Sequence, residues 1–190
     1  MSYKTYITEA LVCGSRKSNT SDKSYLLFTR DAGMLYASAK SVREERSKHR
    51  YALQEFSYIR TTLVHGRTGW RITGAEPLTN VYALQTTREA RALVRNVIKL
   101  LRRLIQGEAP HESLFDEVKT LLCRTHAGDE DVFEEVFTLR TLHVLGYIAP
   151  IEEHAALFSG EIDAVVRTLP RDATQKRKEL IAYALRESHL

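Results

Sequence analysis

Residues 25–39, Tyr-Leu-Leu-Phe-Thr-Arg-Asp-Ala-Gly-Met-Leu-Tyr-Ala-Ser-Ala, predict two β-strands joined by a tight turn. Residues 25–29 and 34–39 have the length and apolar, aromatic content of strands, and the Asp-Ala-Gly sequence at 31–33 favours a turn between them. The hairpin indicates that the amino-terminal part of the chain is a β-structure.

The same period-two pattern extends from about residue 3 to residue 73. It predicts three more strands, at Thr5–Val12, Leu53–Val64 and Trp70–Thr73, with further turns at Gly14-Ser15 and at Gly66–Gly69. Five short antiparallel strands suit a small closed or partly open barrel, of which the OB-fold is the usual nucleic-acid-binding example. An SH3-like barrel would produce a similar pattern.

The period changes to that of helices near Val81. Thr86 and Glu89 have the spacing of a capping box, and apolar residues then recur every three or four positions until Gly107 is placed to end the helix. Further helices are predicted at 112–124, 129–145, 152–158, 161–168 and 173–187. The predicted fold is α+β, with a five-stranded OB-fold-like barrel over residues 1–80 and an α-helical bundle over residues 81–190.

Charge is distributed unevenly along the chain. Residues 1–107 carry 19 basic and 8 acidic side chains, whereas residues 108–163 carry 3 and 13, and the net charge of +4 conceals this difference. A polyanion would be attracted to the first part and repelled by the second, which favours a nucleic-acid surface. The alternative is a solvated surface with an uneven run of charges.

The densest basic segment lies between the third and fourth predicted strands. It is too polar for a core and is expected to be a loop, with or without a helical turn, whose cations follow DNA phosphates. Its basic residues are Lys40, Arg43, Arg46, Lys48 and Arg50. Tyr51, Phe56 and Tyr58 follow and are candidates for base stacking, although burial of Phe56 and Tyr58 is favoured. Trp70 is expected in the core, with Arg71 facing outward.

A second basic set lies on the helix that begins near residue 87. Its members advance by three or four residues and so form one stripe. They are Arg88, Arg91, Arg95, Lys99 and Arg102, with Arg103 beside them. Their counter-ions are either the acidic segment 129–135 of the same chain, DNA phosphates or an acidic partner.

Several function classes lack their sequence signals. The chain has no phosphate-cradling loop, no metalloprotease or serine-hydrolase motif, and no metal-ligand spacing among its seven histidines, so no catalytic residue, metal or cofactor is expected. Cys13 and Cys123 lack CxxC partners and are expected in the core. No segment is long and apolar enough for a membrane span or a secretory signal, so a cytoplasmic protein is expected.

The residues also resemble those of a known family, the bacterial DNA repair protein RecO. The resemblance rests on short stretches that occur in the family's order across about residues 5–150. They are residues 9–12, 27–29, 33, 37–40, 47 and 53–56, followed by 107–108, 114–115, 137–140 and 145–150. One departure is the absence of cysteine from residues 150–159, where many members carry a zinc module, so zinc binding is not expected.

This resemblance implies an OB-fold, a helical domain, and binding of single- and double-stranded DNA in the nucleoid. It further implies ATP-independent strand annealing, and recombinase loading with RecR and single-strand-binding protein. Lys40 and Arg43 match basic positions of the family that resemble DNA contacts. The C-terminal tail of single-strand-binding protein is expected to bind the helical domain near Arg91 and Arg95. The alternatives are an RNA-binding OB module, a protein-interaction adaptor without DNA binding and, least favoured, a metal-dependent nuclease.

Overall fold

The computed structural model describes residues 4–17, 22–40, 49–149, 155, 157–170 and 174–187. Five strands form its amino-terminal part, with one short helix, α1, at His49–Ala52 before the fourth strand. The strands are β1 at Thr5–Lys17, β2 at Lys23–Thr29, β3 at Gly33–Ala39, β4 at Ser57–Gly66 and β5 at Gly69–Asn80. All five strands predicted from the sequence are present.

The strands close into a barrel in the order β1-β2-β3-β5-β4, with β4 pairing back to β1. Every pairing is antiparallel except that of β3 with β5, which run parallel. This arrangement is that of an OB-like barrel. Together with the helices that follow, it confirms the predicted α+β fold class.

Alternate residues of each strand fill the barrel interior, as the period-two pattern predicts. On β2 and β3 these residues are Tyr25, Leu27, Leu35, Ala37 and Ala39, and each is at most 3% exposed. Tyr36 and Ser38 on the other face of β3 are more exposed. The outer face of β3 is therefore accessible to solvent in the C-terminal half of the strand.

Two boundaries differ from the sequence prediction. The predicted turn at Gly14-Ser15 is wrong, because β1 continues through both residues and absorbs Gly14 as an irregularity in its pairing with β2. The predicted strand at residues 53–64 begins only at Ser57. Phe56 has a left-handed backbone, with φ of 68°, which interrupts the extended chain before β4.

Helix α3, at Glu112–Leu122, covers one side of the barrel. Phe115 is fully buried and its ring lies 5.3 Å from that of Phe28 on β2. Two ionic contacts lie beside this apolar contact. Arg30 binds Glu112 at 2.9 Å and Asp116 at 3.0 Å. On the other side of Phe115, Lys119 binds Glu9 at 2.9 Å, and the Tyr58 hydroxyl donates to the same carboxylate.

The turn before β3 also contacts the segment that precedes α3. Gly33 has a φ of 61°, and a Cβ atom at this position would lie 2.2 Å from the carbonyl oxygen of Ala109. The amide of Met34 donates to the carbonyl of Gly107 at 3.0 Å. Only glycine fits this close approach, so Gly33 fixes the 105–110 segment against the hairpin.

Four helices make up the second part of the structure. They are α2 at Arg88–Leu104, α4 at Glu130–Val144, α5 at Ile162–Thr168 and α6 at Thr174–Glu187. The Thr87 hydroxyl, rather than that of Thr86 as predicted, caps α2 by accepting from the Ala90 amide at 3.1 Å. Helix α4 is buried around most of its circumference and contacts α2, α5 and α6, which makes it the centre of this part.

Buried arginines tie the helices together. Arg177 of α6 forms an ion pair with Glu135 of α4, and both side chains are less than 10% exposed. Arg140 of α4 donates to the carbonyls of Leu157, Ser159 and Gly160, at distances of 2.6 to 3.1 Å. These contacts satisfy the guanidinium charges without solvent.

The chain divides into two compact units. One comprises Met1–Gln85 and Ile105–Thr125, and the other Thr86–Leu104 and His126–Leu190. Helix α3 therefore belongs with the barrel, whereas α2 belongs with the later helices. We call the first the barrel unit and the second the helical unit.

Candidate nucleic-acid interface

The barrel unit exposes the predicted DNA-binding cations that the structure describes. Lys40 directly follows β3, Arg50 lies on α1 and Arg71 lies on β5, and all three are exposed. The outward orientation expected for Arg71 is confirmed. The remaining predicted members of the loop lie outside the described residues, and their contribution stays a prediction. These are Arg43, Arg46 and Lys48.

Strand register brings Arg71 into line with a cation that the sequence analysis did not select. Arg71 pairs with Ser38 of β3, Ser38 with Ser24 of β2, and Ser24 with Arg16 of β1. Residues in register share a face of the sheet, and neighbouring strands are about 4.8 Å apart. Arg16 and Arg71 therefore lie on the same outer face, about three strand spacings apart.

The next row of the sheet, whose side chains lie on the opposite face from Arg16 and Arg71, adds two more cations at the last residue of β1 and the first of β2. Lys17 pairs with Lys23, and Lys23 pairs with Ala39, the residue before Lys40. Strands β1, β2 and β3 thus bring basic residues to one end of the barrel. We call this set the basic rim. It consists of Arg16, Lys17, Lys23, Lys40, Arg50 and Arg71.

The basic rim is not neutralised by carboxylates within the described ranges. The ion pairs of the barrel unit there involve Arg30, Arg60 and Lys119, and none involves a rim residue. The Arg16 guanidinium lies 4.2 Å from the centre of the Tyr36 ring, a contact that leaves its charge uncompensated. The rim therefore presents a positive surface that can bind phosphates.

Exposed aromatic rings accompany this surface, but they are not all those predicted. Tyr36 of β3 is 48% exposed and Tyr51 is 72% exposed, so both offer a ring face to solvent. Tyr58 is buried, as favoured by the sequence. Phe56 is partly buried and stacks on Tyr82 with ring centres 5.0 Å apart. Tyr36 was missed because only the register with β2 shows that it faces outward beside Arg16.

Trp70 is partly buried against the barrel core rather than enclosed in it. Its ring contacts Tyr6 and His65 edge-on, at 5.2 and 4.8 Å between centres. Of the two cysteines, Cys13 is buried as expected, whereas Cys123 is only partly buried, and burial raises its pKa to about 11. Neither observation indicates a reaction centre.

The predicted stripe on α2 exists as a helical face. Arg88, Arg95, Lys99 and Arg102 are exposed, and Arg91 is partly buried. Arg91 and Arg95 each have an interaction partner. The stripe is therefore partly engaged, in contrast to the basic rim.

The acidic segment 129–135 was the expected internal partner of this stripe. Two of its carboxylates have other partners. Glu134 accepts a hydrogen bond from Asn96 at 2.8 Å, and Glu135 pairs with Arg177. Arg103 donates to the carbonyl of Leu185 at 2.8 Å. Both of these carboxylates are thus engaged by side chains outside the stripe.

Comparison with known protein families supports the resemblance found in the sequence. Residues 1–81 match the model of the RecO amino-terminal domain, described as recombination protein O N terminal. Residues 85–181 match that of the carboxy-terminal domain, described as recombination protein O C terminal. The chain belongs to the RecO family.

Similar proteins carry the name DNA repair protein RecO. The protein of Heliobacterium modesticaldum is 31% identical over 147 residues, which cover 76% of this chain and 52% of that protein. The protein of Pelotomaculum thermopropionicum is 28% identical over 149 residues, which cover 78% of this chain and 58% of that protein. The chain thus spans between half and two thirds of the length of these RecO relatives.

Of residues 150–159, the cysteine-free segment for which no zinc binding is expected, the structure describes only 155 and 157–159. Within the described ranges, no group of three or more histidine, cysteine or acidic side chains is arranged to hold a metal ion. His143 of α4 contacts the carbonyl of Ile148 through Nδ1 at 3.0 Å. No described helix is long and apolar enough to cross a membrane.

The helical unit of this RecO-family chain has a groove between α2, α4 and α6. Its volume is about 290 Å³, and it combines apolar side chains with two cations. Leu100, Ile181 and Leu185 supply apolar surface, and Lys99 and Arg103 supply positive charge. The carboxylate of Glu134, which accepts a hydrogen bond from Asn96, also lines the groove. Such a groove suits a peptide that is both apolar and acidic.

Proposed function

We propose that this chain acts in DNA repair as a non-enzymatic, DNA-binding recombination mediator. The observation that carries the proposal is the basic rim, in which six cations from separate segments meet at one end of an OB-like barrel without a carboxylate partner in the described ranges. Membership in the RecO family and the name of its relatives support the repair role.

The rim suits a nucleic-acid backbone because its charges are spread across several strands. Oligonucleotides bind OB-folds across strands 2 and 3 and the adjacent loops. Here that region carries Lys23, Lys40 and the exposed ring of Tyr36. Phosphates would contact the cations and release counterions, while Tyr36 offers a stacking surface to an unpaired base.

Annealing would follow from charge neutralisation. Two complementary strands repel each other through their phosphates, and a cationic surface that binds both lowers this repulsion until bases pair. The step needs no nucleotide hydrolysis and no catalytic residue. Recombinase loading with RecR, and binding of double-stranded as well as single-stranded DNA, belong to the same proposal and are supported only by the resemblance to the RecO family.

Reversing three rim charges tests the proposal. In the triple variant Arg16→Glu, Lys23→Glu and Arg71→Glu, we expect single-strand affinity at about 100 mM salt to fall by roughly 100-fold, because three phosphate contacts become repulsive. The matched control reverses two exposed cations of α6, Lys176 and Arg186, and should change affinity little. Equal affinities of the wild type and the rim variant would reject the rim as the DNA surface.

We further propose that the groove of the helical unit binds the acidic, apolar C-terminal tail of single-strand-binding protein. Lys99 and Arg103 at the groove supply the complementary charge. Leu100→Glu and Lys99→Glu should each weaken binding of a fluorescent tail peptide, whereas Arg91→Ala and Arg95→Ala should weaken it less. If the Arg91 and Arg95 variants lost more affinity for the peptide, the binding site would lie near these two residues, as expected from the sequence.

A further inference from the structure

A cavity of the barrel unit lies beside the basic rim. It has a volume of about 570 Å³ and is formed by β1, β2, α1 and the residues that follow α1. This volume falls within the ~300–1,000 Å³ of sites that enclose small ligands. Its lining residues are Ser15, Lys23, Tyr25, Arg50, Leu53, Gln54 and Glu55.

Tyr25 is the most buried polar side chain of this cavity. It belongs to the barrel core, is 1% exposed and lines the cavity together with Leu53. Burial raises the pKa of Tyr25 to about 12, so the hydroxyl stays protonated at neutral pH and can donate a hydrogen bond.

Polar and charged groups surround the rest of the cavity. Lys23 lies two residues before Tyr25 on the same strand face, and Arg50 lies on α1. Ser15 donates to the carboxylate of Glu55 at 3.1 Å, and Gln54 is exposed. The cavity therefore combines two cations suited to phosphates with an amide and a carboxylate that can hydrogen-bond to the edge of a base.

We propose that this cavity holds one unstacked nucleotide of single-stranded DNA. Its base would enter toward Tyr25 and Leu53, with the adjoining phosphates bound by Lys23 and Arg50. A base within a duplex is stacked and paired, and it cannot enter without being flipped out and losing both interactions. The cavity would thus favour single strands, whereas the rim binds phosphates of either form. This inference rests on the proposed DNA-binding function.

Two substitutions test the cavity without removing a cation. Tyr25→Phe deletes only the hydroxyl, and Gln54→Ala changes an exposed side chain. Each should lower affinity for a fluorescent single strand by about three- to tenfold, as expected for one lost hydrogen bond. The salt dependence should not change, because no phosphate contact is lost. Tyr183→Phe, at an exposed position of α6, is the matched control and should bind as the wild type.

Three DNA ligands separate the cavity from the rim. The second ligand is a duplex of the same sequence, and the third is a strand of abasic deoxyribose phosphates. For each of these two ligands, both variants should bind with the same affinity as the wild type. The inference would be overturned if both variants bound the intact strand as tightly as the wild type. It would also be overturned if the variants lost as much affinity for the abasic strand as for the intact strand. Neither result would affect binding by the rim. Failure of the wild type to bind any of the three would overturn the proposed function as well. If Tyr25→Phe fails to fold, Gln54→Ala decides.

Discussion

The barrel unit and the helical unit use their basic residues differently. In the helical unit, Arg140 and Arg177 are buried and bind carbonyl and carboxylate oxygens, and Arg91, Arg95 and Arg103 each have a partner. In the barrel unit, the six cations of the basic rim have no carboxylate partner in the described ranges. The number of cations in a segment therefore does not locate a DNA surface. A cation can bind phosphate only if its charge is not already paired within the protein.

The largest expected effect concerns a structural arginine of the helical unit. Arg177→Met would leave the Glu135 carboxylate buried without its partner, which typically costs about 3–5 kcal/mol of unfolding free energy. Urea unfolding followed by circular dichroism should show this loss. The single tryptophan, Trp70, lies in the barrel unit, so its fluorescence should report a smaller change.

The double variant Glu135→Leu with Arg177→Met is the control for this pair. Because a buried ion pair can be replaced by apolar residues at little cost, most of the lost stability should return. A double variant as unstable as Arg177→Met would show that the other contacts of Arg177, to the carbonyl of Pro170 and the hydroxyl of Thr174, carry the stability instead.

A second prediction compares the α2 stripe with the basic rim directly. Reversing the three exposed stripe cations that have no partner within the described ranges, Arg88, Lys99 and Arg102, should lower single-strand affinity by less than about tenfold. This is smaller than the roughly 100-fold loss expected for the rim variant. Fluorescence anisotropy at matched salt measures both. Equal losses would show that DNA also contacts the helical unit through α2.

The smallest expected effect is a pH dependence of the barrel unit. The hydrogen bonds of Tyr58 and Lys119 lower the pKa of Glu9, and those of Arg30 lower the pKa of Asp116. A carboxylate with a lowered folded-state pKa stabilises the fold above its ordinary pKa of about 4, and this contribution disappears as the pH falls through the folded-state pKa. Stability should therefore fall on acidification below about pH 5.

Arg30→Met isolates one of these contributions. Since Arg30 and Asp116 are both more than a third exposed, the loss of stability at neutral pH should be small. The urea midpoint, followed by Trp70 fluorescence, should depend less on pH in this variant than in the wild type. An identical acid dependence of the two proteins would show that Asp116 does not contribute through its pairing with Arg30.

Local patterns in the sequence predicted the five strands and helices α2 to α6, but not the short helix α1. Alternation predicted the barrel strands, and helical periodicity predicted α2 and its basic stripe. Boundaries were less accurate at Gly14, where a glycine that suggests a turn is instead absorbed within β1, and at Phe56, where a left-handed residue interrupts an apolar run.

Only half of the residues of the basic rim could be selected from the sequence. Lys40, Arg50 and Arg71 could be selected from charge density and alternation, whereas Arg16, Lys17 and Lys23 could not. Their proximity to β3 and β5 depends on strand register, which is set by pairings between distant segments. For the same reason the sequence did not indicate the exposed ring of Tyr36 or the cavity beside Tyr25.

The most direct test of the account is a salt titration of single-strand binding by the wild type and the rim triple variant. If all six rim cations bind phosphates, the logarithm of the binding constant should fall with the logarithm of salt concentration with a slope of roughly −4, and the slope should be about 2 smaller in magnitude for the variant. A wild-type slope near zero, or the same slope in both proteins, would contradict the claim that the basic rim is the DNA surface.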